Sequence, residues 1–166
     1  MINEIGFKKF LFPKLRRAFL IRLLILASIA FIIFRFISVP SWISGHSMEP
    51  TYRNNSFVLY LPWLPRLRPP QVEDVVMVRM AGRRMMLMKR IVAMNGDIVE
   101  FRGGWLYVNG VRRPEPYVVF RNPWQLKPRT VRPGHVYVVG DNRGMPINQH
   151  DFGQTKKNRI AGYPLW

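Results

Sequence analysis

The amino-acid sequence predicts an all-β domain, made of coiled or partly closed antiparallel sheets, that follows one N-terminal transmembrane helix. Two observations support this fold class. An apolar run near the N-terminus has the length of a membrane span, and the rest of the sequence consists of short strand-like segments separated by turn residues. Of the 166 residues, about 130 follow the apolar run, which is enough for one small domain with its own core.

The apolar run covers residues 18–37 and contains two charged residues, Arg22 and Arg35. As a helix it would span about 30 Å, the thickness of the hydrocarbon core of a bilayer, and both arginine side chains could reach the headgroups. A cleavable signal peptide is the alternative. The residues after the run are bulky and include Pro40, whereas a signal-peptide cleavage site needs small residues.

The charges around the apolar run predict its orientation. The first 37 residues carry seven Lys and Arg and one acidic residue, and such a positive flank favours a cytoplasmic N-terminus. We therefore expect a basic cytoplasmic segment at residues 1–17, the transmembrane helix at 18–37, and an extracytoplasmic β-rich domain at 38–166.

Six segments after the helix are rich in β-branched and aromatic residues, as is typical of strands. They are residues 56–60, 75–78, 86–92, 98–101, 105–108 and 136–139. Turn-forming residues at 95–97, 103–104 and 109–110 predict hairpins between several of them. The proline-rich residues 61–70 are expected to form a loop, either at the surface around a packed Trp63 or dipping into the lipid headgroups.

The composition bounds the possible partners. The chain has 26 Lys and Arg against 9 Asp and Glu, a formal net charge of +17, so a membrane-tethered binder of nucleic acid or anionic lipid is one alternative function. However, the bases are scattered between strands, and no glycine-rich phosphate loop is present. Cysteine is absent and the three histidines lack metal-site spacing, so we expect no metal and no cofactor.

Two residues have the surroundings that a Ser/Lys hydrolase requires. Ser47 lies in a polar turn soon after the helix, and Lys89 lies in a predicted strand. A serine hydroxyl needs a base, and a lysine amine can act as one if burial lowers its pKa. Because side chains alternate along a strand, Lys89 should point with Leu87 and Ile91 into apolar surroundings, while Arg90 points to the other face.

A third element follows the strand at 136–139. Asp141 in Gly-Asp-Asn-Arg is placed to form an ion pair with Arg90 that would hold the strand carrying Lys89; a simple β-turn is the alternative.

The nearest alternative chemistry is a Ser/His/Asp hydrolase. It is suggested by His46 beside Ser47 and by the adjacent His150 and Asp151. Neighbouring residues on extended chain point in opposite directions, so His46 is poorly placed as a base for Ser47.

Three motifs occur in order: Ser-Met-Glu-Pro-Thr from Ser47, Lys-Arg-Ile-Val from Lys89, and Gly-Asp-Asn-Arg from Gly140. Between about Trp42 and Gly162 the chain resembles the type I signal peptidases. The resemblance implies a membrane-anchored serine endopeptidase that cleaves N-terminal signal peptides after small residues of translocated precursors. It implies the outer face of a bacterial inner membrane, or of an organellar inner membrane. The expected partners are precursor proteins and membrane lipid, and no nucleic acid.

The resemblance also implies residue roles. Ser47 would be the nucleophile and Lys89 the general base, with support from Arg90 and Asp141. The backbone N–H of Ser47 would hold the oxyanion. Gly45 stands where some members carry a hydroxyl, which leaves Ser44 or a water as a further donor. The substrate would bind as an extended strand with small side chains in shallow apolar pockets. The expected pocket walls are Phe57, Met88 and Ile91.

The last motif departs from the family pattern. The family usually has Ser, Asp, Ser and Arg at four positions where this chain has Pro146, Asn148, Gln149 and His150. In the family the first of these serines helps to orient the lysine, and the aspartate and arginine support the site. These replacements favour two further interpretations. The chain could be a dedicated peptidase for one secreted or pilin-like substrate, as in conjugation systems, or an inactive scaffold with a peptidase fold.

Overall fold

An apolar helix leads into a β domain in the computed structural model, which describes residues 17–80 and 86–165. Helix α1, Arg17–Ile32, continues as a π-helical turn over Ile33–Ile37. None of the α1 residues is buried, and the 19 residues of Arg17–Arg35 are long and apolar enough to cross a bilayer. The predicted basic segment 1–17 lies outside the described residues, apart from Arg17.

The described part of the β domain contains eleven strands. In chain order they are β1 (Val39–Trp42), β2 (Phe57–Leu61), β3 (Val75–Arg79), β4 (Met86–Ala93), β5 (Ile98–Arg102), β6 (Trp105–Val108), β7 (Val111–Arg112), β8 (Leu126–Thr130), β9 (His135–Val139), β10 (Gly153–Lys156) and β11 (Ile160–Pro164). Seven form a sheet in the order β1-β2-β11-β3-β4-β9-β10, and four form a sheet in the order β7-β6-β5-β8. Neighbouring strands are antiparallel.

The all-β fold class after an N-terminal helix is confirmed. All six predicted strands are present, as β2, β3, β4, β5, β6 and β9, each within one residue of the predicted bounds. The predicted turn at Asn109 and Gly110 has φ angles of 56° and 78°, the left-handed conformation that a two-residue hairpin between β6 and β7 requires.

The proline-rich residues 61–70 are more ordered than the predicted loop. Leu61 ends β2, and Leu64–Leu67 form a short helix, α2. Trp63 is half-buried and donates its indole N–H to the backbone carbonyl of Ile37 at 2.7 Å. This bond fastens the end of the membrane-length helix to the β domain.

Strands β4 and β9 are central to the core. On β9, Val136 and Val138 pack in one apolar cluster, whereas Tyr137 and Val139 pack in another that includes residues of the four-stranded sheet. Burial on both faces fixes the end of β9, and therefore the direction of the loop that follows it.

That loop is also held by a buried ion pair. Arg143 has no exposed surface, and its Nη2 donates to Glu115 Oε1 at 2.6 Å. The Arg143 Nε donates to the carbonyl oxygen of Gly140 at 2.7 Å. A guanidinium removed from water must be paired in this way, because an isolated buried charge is very costly.

Replacing Glu115 by alanine should therefore lower the free energy of unfolding by about 3–5 kcal/mol, since Arg143 would keep a buried charge without its carboxylate. Glu100→Ala is the matched control: Glu100 is also buried, but its partner Arg102 is 57% exposed and stays hydrated, so the loss should stay below about 1 kcal/mol. Urea unfolding of the detergent-solubilised chain measures both. Equal losses would contradict the role assigned to the Arg143 pair.

Candidate active site

Ser47 lies in a tight turn between β1 and β2. The N–H of Glu49 donates to the carbonyl oxygen of His46 at 3.2 Å, which closes the turn around Ser47. Gly45 enters the turn with a φ of 111°, a conformation that favours glycine. The N–H of Gly45 donates to Asn54 Oδ1 at 2.9 Å, so this amide is already occupied.

His46 is held away from Ser47 by its own partners. Its Nδ1 lies 3.0 Å from Glu49 Oε1, and its Nε2 lies 3.2 Å from Asn54 Nδ2. Since an amide nitrogen can only donate, Nε2 accepts, and the Nδ1–H donates a hydrogen bond to Glu49 Oε1. Both ring nitrogens are therefore engaged in holding the turn, and neither is available as a base for Ser47.

Lys89 is 2% exposed and lies on the apolar face of β4, as the alternation of side chains predicted. Burial lowers its pKa from 10.5 to about 8, while the carboxylates of Asp151 and Asp141 act in the opposite direction. Within residues 17–80 and 86–165, Lys89 forms no ion pair and no side-chain hydrogen bond. A lysine in this setting is neutral in a substantial fraction of molecules near pH 8.

The predicted ion pair between Arg90 and Asp141 is present. Arg90 Nε donates to Asp141 Oδ1 at 2.9 Å, and Arg90 Nη2 donates to Asp141 Oδ2 at 2.7 Å, in a bidentate arrangement. Thr51 Oγ1 donates to the same carboxylate at 2.6 Å. No local pattern in the sequence indicates this third bond, which ties the Ser47 loop to the strand carrying Lys89.

Gly140 is the point at which these elements meet. The register of β4 with β9 pairs Arg90 with Val139, and its continuation places Gly140 opposite Lys89. A Cβ atom at Gly140 would lie 2.2 Å from the carbonyl oxygen of Ser47. That carbonyl accepts a hydrogen bond from the N–H of Asn142 at 3.0 Å, so the nucleophile turn packs directly on this loop.

His150 also packs against Gly140. Its Nε2 accepts the N–H of Gly140 at 3.1 Å, and the ring lies at an angle to that of Trp124 with 4.9 Å between the ring centres. Burial lowers the pKa of His150 to about 3, and the charges of Lys89 and Arg143 add to the effect. The ring is neutral with its accepting nitrogen occupied, so His150 is not available as a base for a Ser/His/Asp hydrolase.

A small pocket of about 40 Å³ lies beside Ser47. Its lining includes Met88, one of the three predicted wall residues, and also Leu87. The other two predicted wall residues lie elsewhere: Phe57 packs edge-on against Trp42 with 5.5 Å between the ring centres, and Ile91 is fully buried in the core. Among the described residues, no three His, Asp or Glu side chains are grouped as a metal site.

Gly140→Ala should lower the free energy of unfolding by about 1–3 kcal/mol, since the new methyl group would overlap backbone and a buried ring. Gly144→Ala is the matched control, because its methyl would meet the Phe120 Cβ at 3.0 Å on an exposed loop. Thermal and urea unfolding give both values. A tolerated Gly140→Ala variant would contradict the close packing of the Ser47 turn.

The sequence matches known proteins over most of its length. The family model described as signal peptidase, peptidase S26, matches residues 16–164. Thylakoidal processing peptidase 1 from the chloroplast of Arabidopsis thaliana is 31% identical over 134 residues, and the match covers 74% of this chain and 39% of that protein. A probable signal peptidase I-1 from Synechocystis is 28% identical over 155 residues, covering 88% of this chain and 79% of the relative.

A solved signal peptidase I from Enterococcus faecalis aligns with a TM-score of 0.49 and 26% identity, over 58% of this chain and 97% of that structure. The chain spans less than half the length of the Arabidopsis relative and about four fifths of the cyanobacterial one.

Proposed function

The chain belongs to the S26 family of signal peptidases, and we propose that it cleaves N-terminal signal peptides with Ser47 as nucleophile and Lys89 as general base. The observation that carries this proposal is the buried amine of Lys89, with a pKa lowered to about 8. A base must be neutral before it can accept a proton, and burial without an ion-pair partner favours the neutral amine.

The reaction follows from these two groups. The Lys89 amine takes the proton of the Ser47 hydroxyl as Oγ attacks the scissile carbonyl, and it then gives the proton to the departing amine, which leaves an acyl-enzyme. Lys89 then takes a proton from a water molecule, whose oxygen attacks the acyl carbon; the ester bond to Ser47 Oγ breaks, the proton returns to Oγ, and the signal peptide leaves as a carboxylic acid. Ser47 Oγ and Lys89 Nζ share no hydrogen bond in the described residues, so the proposal requires that this contact forms when the precursor binds.

The oxyanion would be held by the backbone N–H of Ser47. Among the described residues this N–H has no hydrogen-bond partner, whereas the N–H of Gly45 is bound to Asn54. An unpaired backbone donor at the nucleophile is the group that stabilises a developing oxyanion. The role of Gly45 is then to shape the turn with its positive φ.

The substrate would add as a strand to β4. This strand pairs with β3 from Met86 to Arg90, but with β9 only from Arg90 onward. Among the described strands, none pairs with the other edge of residues 86–89, beside the Ser47 turn, and an extended peptide can bind there by strand addition. The pocket at Ser47 has a volume of only about 40 Å³, so it suits a small side chain before the cut.

Helix α1 would anchor the enzyme in the membrane, with residues 1–17 in the cytoplasm and residues 38–166 on the outer face of a bacterial inner membrane. The bond from Trp63 to Ile37 would keep the β domain next to the end of this anchor. Precursor proteins carrying signal peptides and the surrounding lipid would be its partners.

Ser47→Ala and Lys89→Ala should each abolish cleavage of a membrane-inserted precursor with small residues one and three positions before the cut. The expected loss is at least about a thousandfold, because each variant lacks one half of the proton transfer. Lys156→Ala, an exposed lysine on β10, is the matched control and should keep full activity. Cleavage of precursor by the detergent-solubilised chain is read on gels. An active Lys89→Ala variant would refute the assignment of the base.

The pH profile should report Lys89. Below its pKa of about 8 the amine is protonated, so kcat/KM should rise about tenfold per pH unit and level off above that value. Asp151→Asn removes a carboxylate that raises this pKa, so the midpoint should move to lower pH. A profile centred near 6.5 and unchanged in Asp151→Asn would indicate an imidazole base instead.

A further inference from the structure

A second pocket lies next to Lys89 and has no role in the reaction as described. Its volume is about 210 Å³, roughly five times that of the pocket at Ser47. Lys89 lines this larger pocket, Ser47 lines the smaller one, and Leu87 lines both. The two pockets therefore adjoin at Leu87, with the nucleophile at one and the base at the other.

The larger pocket is formed by one face of the seven-stranded sheet. Leu87 pairs with Val78, and Val138 pairs with Gly153, so these positions lie on the face that carries Lys89. Gly153 has no side chain, and a Cβ built there would meet nothing within 4 Å. Val78 and Val138 in the lining are buried, whereas Asp151 and Arg159 are exposed. The polar residues of the lining, apart from Lys89, are Asp151, Gln154, Thr155 and Arg159.

The chemistry of the base assigns a side of the substrate to each pocket. Ser47 bonds to the acyl carbon, so the pocket at Ser47 belongs to the residue before the cut. Lys89 must deliver its proton to the departing nitrogen, which is the backbone nitrogen of the residue after the cut. The groups beside Lys89 therefore face the leaving half of the precursor.

The geometry of an added strand leads to the same assignment. Successive side chains of an extended peptide point to opposite faces. If the residue before the cut enters the Ser47 pocket on the side of Met88, the next residue points to the face of Leu87 and Lys89. That face holds the larger pocket.

We propose that the pocket of Leu87, Lys89, Val138 and Phe152 binds the side chain of the first residue after the cut, and that it selects a medium or large apolar side chain. This inference rests on the proposed function, since it needs a peptide bound across Ser47 and Lys89. It gives the enzyme a preference on the mature side of the precursor in addition to the small residue before the cut.

The test uses a set of peptides that are identical except for alanine, leucine or phenylalanine directly after the cut. The wild-type chain should cleave the leucine and phenylalanine peptides with a kcat/KM at least about tenfold above that of the alanine peptide. Thr155→Trp, which places an indole in the pocket, should remove this difference while still cleaving the alanine peptide. Thr130→Trp, on an exposed strand position outside the pocket, is the matched control and should behave as the wild type.

Binding to the Ser47→Ala variant separates failure of this inference from failure of the proposed function. Fluorescently labelled peptides should bind Ser47→Ala in the same order, and the added Thr155→Trp change should equalise their affinities, even if the wild type cleaves none of them. Equal kcat/KM and equal affinity for the three peptides would overturn the proposal. A second peptide set that varies only the residue two positions before the cut should show no such order. A preference in that set that Thr155→Trp removes would also overturn the proposal, since the pocket would then face the acyl half.

Discussion

One buried carboxylate, that of Asp141, fixes the relative positions of the parts on which the site depends. It has no exposed surface. It accepts two hydrogen bonds from Arg90 and one from Thr51, and both residues are more than fifty positions away from it in the sequence. A carboxylate removed from water is stable only when such donors surround it. The strand carrying Lys89, the loop carrying Ser47 and the end of β9 are consequently joined at one point.

The site also requires positive charges to lie close together without excessive repulsion. Arg143 is neutralised by Glu115 and Arg90 by Asp141, so Lys89 is the cation whose charge the surroundings leave unpaired, and burial favours its neutral form. His150 stands where the resemblance leads one to expect an arginine. A neutral imidazole at this position accepts the N–H of Gly140 without adding another charge beside Lys89. The replacement is therefore compatible with a base of lowered pKa.

Strands that form because of their own residue types were predicted from the sequence. Strands that form because of contacts with distant segments were not. Strands β4 and β9 have runs of β-branched or large apolar residues, which suit a sheet buried on both faces. Strand β1 contains Pro40 and lies at the sheet edge, where a missing N–H is tolerated. Strand β11 contains Gly162, and a Cβ there would lie 2.5 Å from the carbonyl oxygen of Leu61, so only contact with β2 explains the glycine.

The same division holds for the site. Alternation along β4 was enough to place Lys89 in apolar surroundings, and the position of Asp141 directly after a predicted strand was enough to predict its pair with Arg90. The bonds of Thr51, Asn142 and Glu115 join distant segments, and no pattern within any one segment indicates them.

The arrangement of the two pockets follows from the point at which β9 stops pairing with β4. Had the pairing continued past Arg90, residues 86–89 would have had no free edge, and a peptide could not reach both faces of the strand at once. Gly140 ends the pairing and turns the chain toward Asn142, which holds the carbonyl of Ser47. The nucleophile then meets the strand at its free edge, with Met88 directed to one face and Lys89 to the other. A bound peptide crossing this edge would present consecutive side chains to opposite faces, so recognition of the residue before the cut and the residue after it are two consequences of one strand end.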